Sequence, residues 1–127
     1  MRSSIDTTLD AMVKLDPVTC ENVMGLTLDE VRVRLFAMVE RHDGSVLLDP
    51  PLYVRLLGDY AALYQYVSEL YVYLLCRARA FSEAKNVMGR MKAMDRRDCV
   101  EQVLKVIKFE YDSLSRKVTV MDGEDVG

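Results

Sequence analysis

The chain has 127 residues, of which 50% are hydrophobic and 29% are charged, and its formal net charge is −3 at pH 7. This composition supplies enough apolar surface for a buried core, so it excludes a disordered or low-complexity segment, and the length fits one compact domain. Domains that bind nucleic acid through their overall charge are strongly basic, so the net negative charge argues against this class of protein. No apolar run reaches the ~18–20 residues that a membrane-spanning helix needs.

Three cysteines, Cys20, Cys76 and Cys99, are spread widely along the chain. Disulfide frameworks and zinc sites use closely spaced thiols, so this spacing favours a reducing, intracellular compartment, either the cytoplasm or the nucleus. The first residues lack the apolar stretch of a signal peptide, and Asp6 and Asp10 are unusual in a transit peptide. We therefore expect free, mostly buried thiols and no targeting segment.

Helix starts and stops are clear in the first third of the sequence. Apolar residues at helical spacing predict a first helix over residues 4–15. A second, short helix is predicted to start after Asp16, as N-cap, and to end at Gly25. Thr27 and Glu30 have the spacing of a capping box, which predicts the start of a third helix.

A long central helix is predicted over about residues 50–79, with Asp49 as its N-cap. Its apolar residues alternate at spacings of three and four, which is typical of a helix packed in a bundle. This seam consists of Tyr53, Leu56, Tyr60, Leu63, Val67, Leu70 and Leu74. Leu57, Tyr64 and Tyr71 widen the seam on one flank, and Tyr66 and Tyr73 lie on the other flank.

Two further helices are predicted in the last third of the chain. Ser82 is the predicted N-cap of a fifth helix, and Asp98 and Glu101 resemble a capping box for a sixth helix over about residues 98–118. The sixth helix carries a coiled-coil-like seam of Val100, Leu104, Ile107, Tyr111, Leu114, Val118 and Met121. The sequence therefore predicts an all-α, single-domain bundle of about five to six helices over residues 1–121, followed by an acidic, disordered tail over residues 122–127.

Residues that carry catalytic or metal chemistry are few. His42 is the only histidine, and its position at a predicted helix end suits a favourable interaction with the helix dipole. No phosphate-binding loop or dinucleotide fingerprint is present in the sequence. We therefore expect a protein that is not an enzyme, with no catalytic residues, no metal site and no cofactor.

Tyrosine and methionine are the residue types that point to a surface for protein contacts. Tyrosine combines a large apolar ring with a hydroxyl that tolerates water, and methionine adapts to irregular surfaces, although both types also pack in cores. The candidate partner-binding residues are Tyr66, Tyr73, Tyr64, Tyr71, Met88, Met91, Leu104, Ile107, Tyr111 and Leu114. Tyr66 and Tyr73, which lie off the main seam, are the favoured contacts.

Charge is concentrated in one segment, residues 77–97, which holds seven basic and two acidic residues. The flanking segments are acidic, so the basic segment either forms a solvated helix face or steers an acidic partner. The candidate charge-steering residues are Arg77, Arg79, Arg90, Lys92, Arg96 and Arg97.

Residues 71–97 resemble one unit of a tetratricopeptide or pentatricopeptide repeat. The stretch from Leu74 to Ala84 is similar to the end of the unit's first helix, its turn and the F-x-E-A opening of its second helix, although Arg79 stands where these families often have glycine. The similarity does not recur at the repeat period of roughly 34–35 residues. It implies a local helical hairpin and favours a protein-binding role, but it identifies no ligand residues.

The sequence thus favours a non-enzymatic helical module for protein–protein interaction or assembly, such as an adaptor or a subunit of a larger complex. Its partner would be another protein or a second copy of the chain. The alternative is a nucleic-acid-associated helical subunit that uses the basic residues of segment 77–97 on phosphates.

Overall fold

The computed structural model describes the backbone of residues 16–41 and 48–126, and the side chains of residues 16–41 and 48–116. Within these ranges the chain forms four α-helices and no strand, so the predicted all-α fold class is confirmed. The helices are α1 (Pro17–Met24), α2 (Leu28–Glu40), α3 (Pro50–Glu83) and α4 (Val87–Val126). The predicted helix over residues 4–15 and His42 lie outside the described residues. The domain boundary at residue 121 and the disordered tail stay predictions.

The first three described helices start at the predicted N-caps. The side chains of Asp16, Thr27 and Asp49 each accept a hydrogen bond from the backbone N–H three residues ahead, at 3.3, 3.1 and 3.4 Å. Each bond satisfies a donor that the first turn of a helix leaves without a partner. Gly25 follows α1 with a φ of 81°, the left-handed conformation that glycine adopts without strain.

The predicted helix break at Ser82 is wrong. The helix α3 continues to Glu83, and the chain turns through residues 84–86. The N-cap of α4 is Asn86, whose Oδ1 accepts a hydrogen bond from the Gly89 N–H at 3.0 Å. Serine and asparagine are comparably good N-cap residues, so tertiary packing rather than side-chain chemistry determines the position of the turn, and the new helix starts four residues later than predicted.

The predicted helix start at Asp98 is also wrong, because α4 is one continuous helix from Val87 to Val126. No glycine or proline occurs between Met91 and Leu114 to interrupt it. The Asp98 carboxylate binds the Arg97 guanidinium at 2.7 Å instead of capping a new helix. The predicted fifth and sixth helices are therefore one, and the predicted count of five to six becomes four in the described part of the chain.

The four described helices pack as three rods, because α1 and α2 lie one after the other and together form one rod. The helices α3 and α4 form a long antiparallel hairpin, and α1 and α2 follow one another along α3 in the opposite direction. At one end Arg41 pairs with Asp59 at 3.2 Å, and at the other Cys20 shares a cavity with Leu74. The core joins residues of all four helices: Cys20, Met24, Val31, Leu35, Met38, Leu56, Tyr60, Leu63, Val67, Leu70, Leu74, Val100, Val103, Leu104, Ile107 and Leu114.

Candidate protein-docking surfaces

The tyrosines of α3 are divided between the core and two flanks. Tyr60 is fully buried at the centre of the seam. Tyr64 lies on the flank that faces α4, where it lines a groove together with Tyr111. Tyr71, one heptad after Tyr64, is half-buried on the same flank and contributes to the electrostatic environment of Arg97 on α4. The α4 side of α3 therefore combines buried and accessible aromatic surface.

The opposite flank of α3 faces α1 and α2. The guanidinium of Arg34, on α2, lies 6.0 Å from the centre of the Tyr66 ring, at the outer limit of a cation–π contact. Tyr73 is half-buried and lines a cavity together with Thr19 near the start of α1. The two tyrosines favoured as partner contacts thus lie on a flank that the chain's own helices partly cover.

A groove runs between α3 and α4 on the side away from α1 and α2. We call it the tyrosine groove; it has a volume of about 350 Å³ and is lined by Tyr60, Ala61, Tyr64, Ile107, Lys108, Tyr111 and Asp112. Tyr60 and Ile107 are buried and form the floor, whereas Tyr64, Ala61 and Tyr111 are exposed. Burial, with a smaller contribution from the Glu110 charge, raises the pKa of the Tyr60 hydroxyl. A tyrosine hydroxyl is uncharged at neutral pH even at its ordinary pKa, so the floor is neutral.

Three of the four candidate residues in the regular seam of α4 occupy the core. Leu104, Ile107 and Leu114 are buried against the chain's own helices, so their apolar surface is used within one copy. Among the seam residues whose side chains the structure describes, Tyr111 is the exposed one, and it forms one wall of the tyrosine groove. The regular seam therefore marks mainly internal packing, with one accessible aromatic side chain.

The second candidate surface is the end of the α3–α4 hairpin, residues 77–97, which we call the basic hairpin end. Met88 and Met91 are exposed there, together with Val87. These apolar side chains adjoin the basic residues of the same segment, which gives the hairpin end a mixed apolar and cationic character.

The six predicted charge-steering residues differ in their surroundings. The Arg77 guanidinium lies 4.8 Å from the centre of the Phe81 ring. Arg79 pairs with Glu83 at 3.5 Å, and the hydrogen bond with Asp98 raises the pKa of Arg97. Arg96 lies near Asp16 in a cavity of about 180 Å³ that Lys92 also lines. Arg90 and Lys92 form no ion pair with any residue that the structure describes.

Sequence reasoning missed four residues of the tyrosine groove: Tyr60, which it assigned only to the packed seam, and Ala61, Lys108 and Asp112. The signal for Ala61 was its position within the tyrosine-rich flank of α3, where a small residue leaves space between larger ones. Lys108 and Asp112 are separated by one helical turn, a spacing that places both on one face of α4. A charged pair bordering an apolar seam marks the edge of a packed face.

The remaining predictions concern the cysteines, metal binding and membrane-spanning helices, and the structure tests them only for the residues that it describes. None of the three cysteines forms a disulfide within these ranges; Cys20 is buried, and burial raises the pKa of its thiol, whereas Cys76 is exposed and Cys99 is half-buried. Residues 16–41 and 48–116 contain no cluster of three or more potential metal ligands. None of the described helices has the length and apolar character needed to span a membrane.

Comparisons with protein-family models, curated proteins and solved structures gave no significant match. The resemblance of residues 71–97 to a tetratricopeptide or pentatricopeptide unit stays a prediction. Function is consequently inferred from the two surfaces described above.

Proposed function

We propose that this protein is a non-enzymatic helical docking module, an adaptor or subunit that binds a partner helix in the tyrosine groove. The observation that carries the proposal is the composition of this groove. Two exposed tyrosines, Tyr64 and Tyr111, stand over an apolar, neutral floor on a side of the hairpin that α1 and α2 leave open. Grooves of this kind suit the apolar face of an amphipathic helix.

The two tyrosines have the properties of interface anchors. Each ring brings a large apolar area with only two rotatable bonds, and its hydroxyl can remain hydrated at the rim of a contact. The basic hairpin end adds a positive field at the turn between α3 and α4, beyond the groove. Exposed charges of this type accelerate and orient the encounter with an acidic partner more than they strengthen the final complex.

The test compares two tyrosines of the same helix. Tyr64 and Tyr66 are 39% and 40% exposed but lie on opposite flanks of α3. Affinity purification with mass spectrometry, at about 150 mM salt, is performed with the wild-type chain, Tyr64→Lys and Tyr66→Lys. We expect Tyr64→Lys to lose the partner that the wild type and Tyr66→Lys retain.

Circular dichroism of the three proteins establishes that the variants keep their helices. If Tyr64→Lys is folded and still retains every partner of the wild type, the groove is not the docking surface. If Tyr66→Lys alone loses the partner, the contact lies on the flank beside α2 instead.

The alternative function, binding of nucleic acid, is favoured by one observation at the basic hairpin end. Arg90 and Lys92 are accessible there and form no ion pair within the described chain. Phosphate contacts weaken steeply between about 50 and 200 mM salt, whereas an apolar groove contact tolerates this change. The variant Arg90→Glu/Lys92→Glu and nuclease treatment should therefore both abolish the association if phosphates are the ligand. Partner retention under both conditions supports protein docking.

A further inference from the structure

The rim of the tyrosine groove carries one cation and one anion that lack partners within the described chain. Lys108 and Asp112 both line the groove from α4, one helical turn apart, on either side of the exposed Tyr111. Neither the Lys108 ammonium nor the Asp112 carboxylate forms an ion pair with a residue that the structure describes. A partner that presents an anion and a cation at the same spacing in the reverse order would complement the charges of this rim.

We infer that the occupant of the tyrosine groove is a second copy of this chain, packed face to face about a twofold axis perpendicular to α4 near residue 110. This inference rests on the proposed docking function and identifies its partner. The axis reverses the direction of α4 in the second copy, so that Lys108 of each copy lies opposite Asp112 of the other. A twofold contact uses the same patch on both copies, and it requires a self-complementary arrangement of this kind.

The apolar part of the groove is consistent with the same partner. Tyr64 and Tyr111 are exposed on its walls, and the flank of α3 continues past the half-buried Tyr71 to the exposed Leu75. Two such hairpins packed face to face form a four-helix bundle, which covers these side chains on both copies. The exposed Ala61, with a side chain of one carbon, allows the two α3 helices to approach closely.

Charge reversal provides a specific test. In the dimer, Lys108→Asp places two aspartates opposite each other at both symmetric contacts, and Asp112→Lys places two lysines there. Each variant alone should dimerise on the order of tenfold more weakly than the wild type. In an equimolar mixture, both carboxylates of the Lys108→Asp chain face ammonium groups of the Asp112→Lys chain, so the mixture should dimerise again.

The measurement is multi-angle light scattering at tens of micromolar protein, with heterodimers identified by a mass tag on one variant. The control is Gln102→Asp, because Gln102 is an exposed residue of the same helix that lies about 120° around the helix from Lys108 and does not line the groove. We expect it to dimerise as the wild type does. Circular dichroism establishes that every variant is folded.

Three outcomes overturn the inference: a monomeric wild type, single variants that dimerise unchanged, or a mixture that stays monomeric. The proposed function is judged separately. If the wild type is monomeric but Tyr64→Lys still loses a different protein partner, the groove is a docking site whose occupant is not a second copy. If the wild type is monomeric and Tyr64→Lys loses nothing, both proposals fail.

Discussion

Two glycines within the long helices have opposite surroundings. A Cβ added at Gly58, on α3, would meet no heavy atom within 4 Å. A Cβ added at Gly89, in the first turn of α4, would lie 2.6 Å from the Phe81 ring. The guanidinium of Arg77 lies 4.8 Å from the centre of the same ring, so moving the ring would also disturb this contact. Gly89 is therefore needed for the close approach of α3 and α4 at the turn, whereas Gly58 has no such role.

We expect opposite effects from replacing these two glycines with alanine. Gly58→Ala should raise the free energy of unfolding by about 0.5–1 kcal/mol, because alanine loses less backbone entropy in a helix. Gly89→Ala gains the same helix propensity but displaces the Phe81 ring, and overpacking of this kind should leave a net loss of about 1 kcal/mol. Urea unfolding measures both changes. Equal stabilisation by the two variants would contradict the contact between Gly89 and Phe81.

The buried hydroxyl of Tyr60 makes stability depend on alkaline pH. Burial raises its pKa in the folded state above the ordinary value of about 10, so the unfolded chain releases the proton first. The stability that depends on the neutral hydroxyl is complete below pH ~10 and is lost as the pH rises above it.

We expect the wild type to lose more unfolding free energy between about pH 9 and pH 11 than Tyr60→Phe does. The substitution also removes the interactions of the buried hydroxyl at neutral pH. The informative quantity is therefore the slope of the unfolding free energy against pH, not its value at one pH. Cys20 contributes a loss in the same direction, since burial raises the pKa of its thiol, but it does so equally in both proteins. Parallel pH profiles in urea unfolding would be the contrary result.

At the scale of elements, the turn between α3 and α4 joins a helix C-terminal motif directly to an N-cap. The Asn86 N–H donates to the Phe81 carbonyl at 2.8 Å, and the Lys85 N–H donates to the Ser82 carbonyl at 3.1 Å. These are the two hydrogen bonds of a Schellman motif, and Lys85 has the left-handed φ of 58° that the motif requires. Glycine is the usual residue at this position, so Lys85 holds a strained conformation.

We expect Lys85→Gly to raise the free energy of unfolding by about 0.5–1 kcal/mol through release of this strain. Lys85→Ala is the matched control, because it removes the same charge but keeps a Cβ at positive φ, and it should give no gain. Thermal or urea unfolding distinguishes the two variants. A gain shared by both would assign the effect to the basic charge of the hairpin end rather than to the backbone.

The elements that could be predicted from sequence are those whose ends depend on local chemistry. Asp16, Thr27 and Asp49 are N-caps because each can bond an amide three residues ahead, and that bond needs no tertiary contact. The side chains of Ser82 and Asp98 can form the same kind of bond, but both residues lie inside continuous helices. There the backbone is already satisfied by helical hydrogen bonds, and tertiary packing decides where the chain turns. A cap-forming residue alone is therefore not sufficient for a helix start.

At the scale of the whole molecule, the arrangement of three rods determines which apolar surface stays accessible. The helices α1 and α2 cover the flank of α3 that carries Tyr66, whereas the groove beside α4 leaves Tyr64 and Tyr111 open. Sequence spacing places Tyr64 and Tyr66 on opposite flanks but gives no information about which neighbour each flank receives. For the same reason it cannot separate Ile107, which is buried, from Tyr111, which lies in the same seam and is exposed.

If the groove of one copy is filled by a second copy, thermal stability depends on protein concentration. Dissociation accompanies unfolding of a dimer, so each tenfold increase in concentration should raise the Tm of the wild type by about 2–3 °C. Tyr64→Lys should have a Tm independent of concentration, because its charged side chain prevents the contact but leaves the core intact. Tyr66→Lys should behave like the wild type, since its side chain lies on the other flank. Calorimetry over roughly a hundredfold range of concentration tests all three, and a constant Tm for the wild type would mean that the groove is empty in the isolated protein and that a second copy is not its occupant.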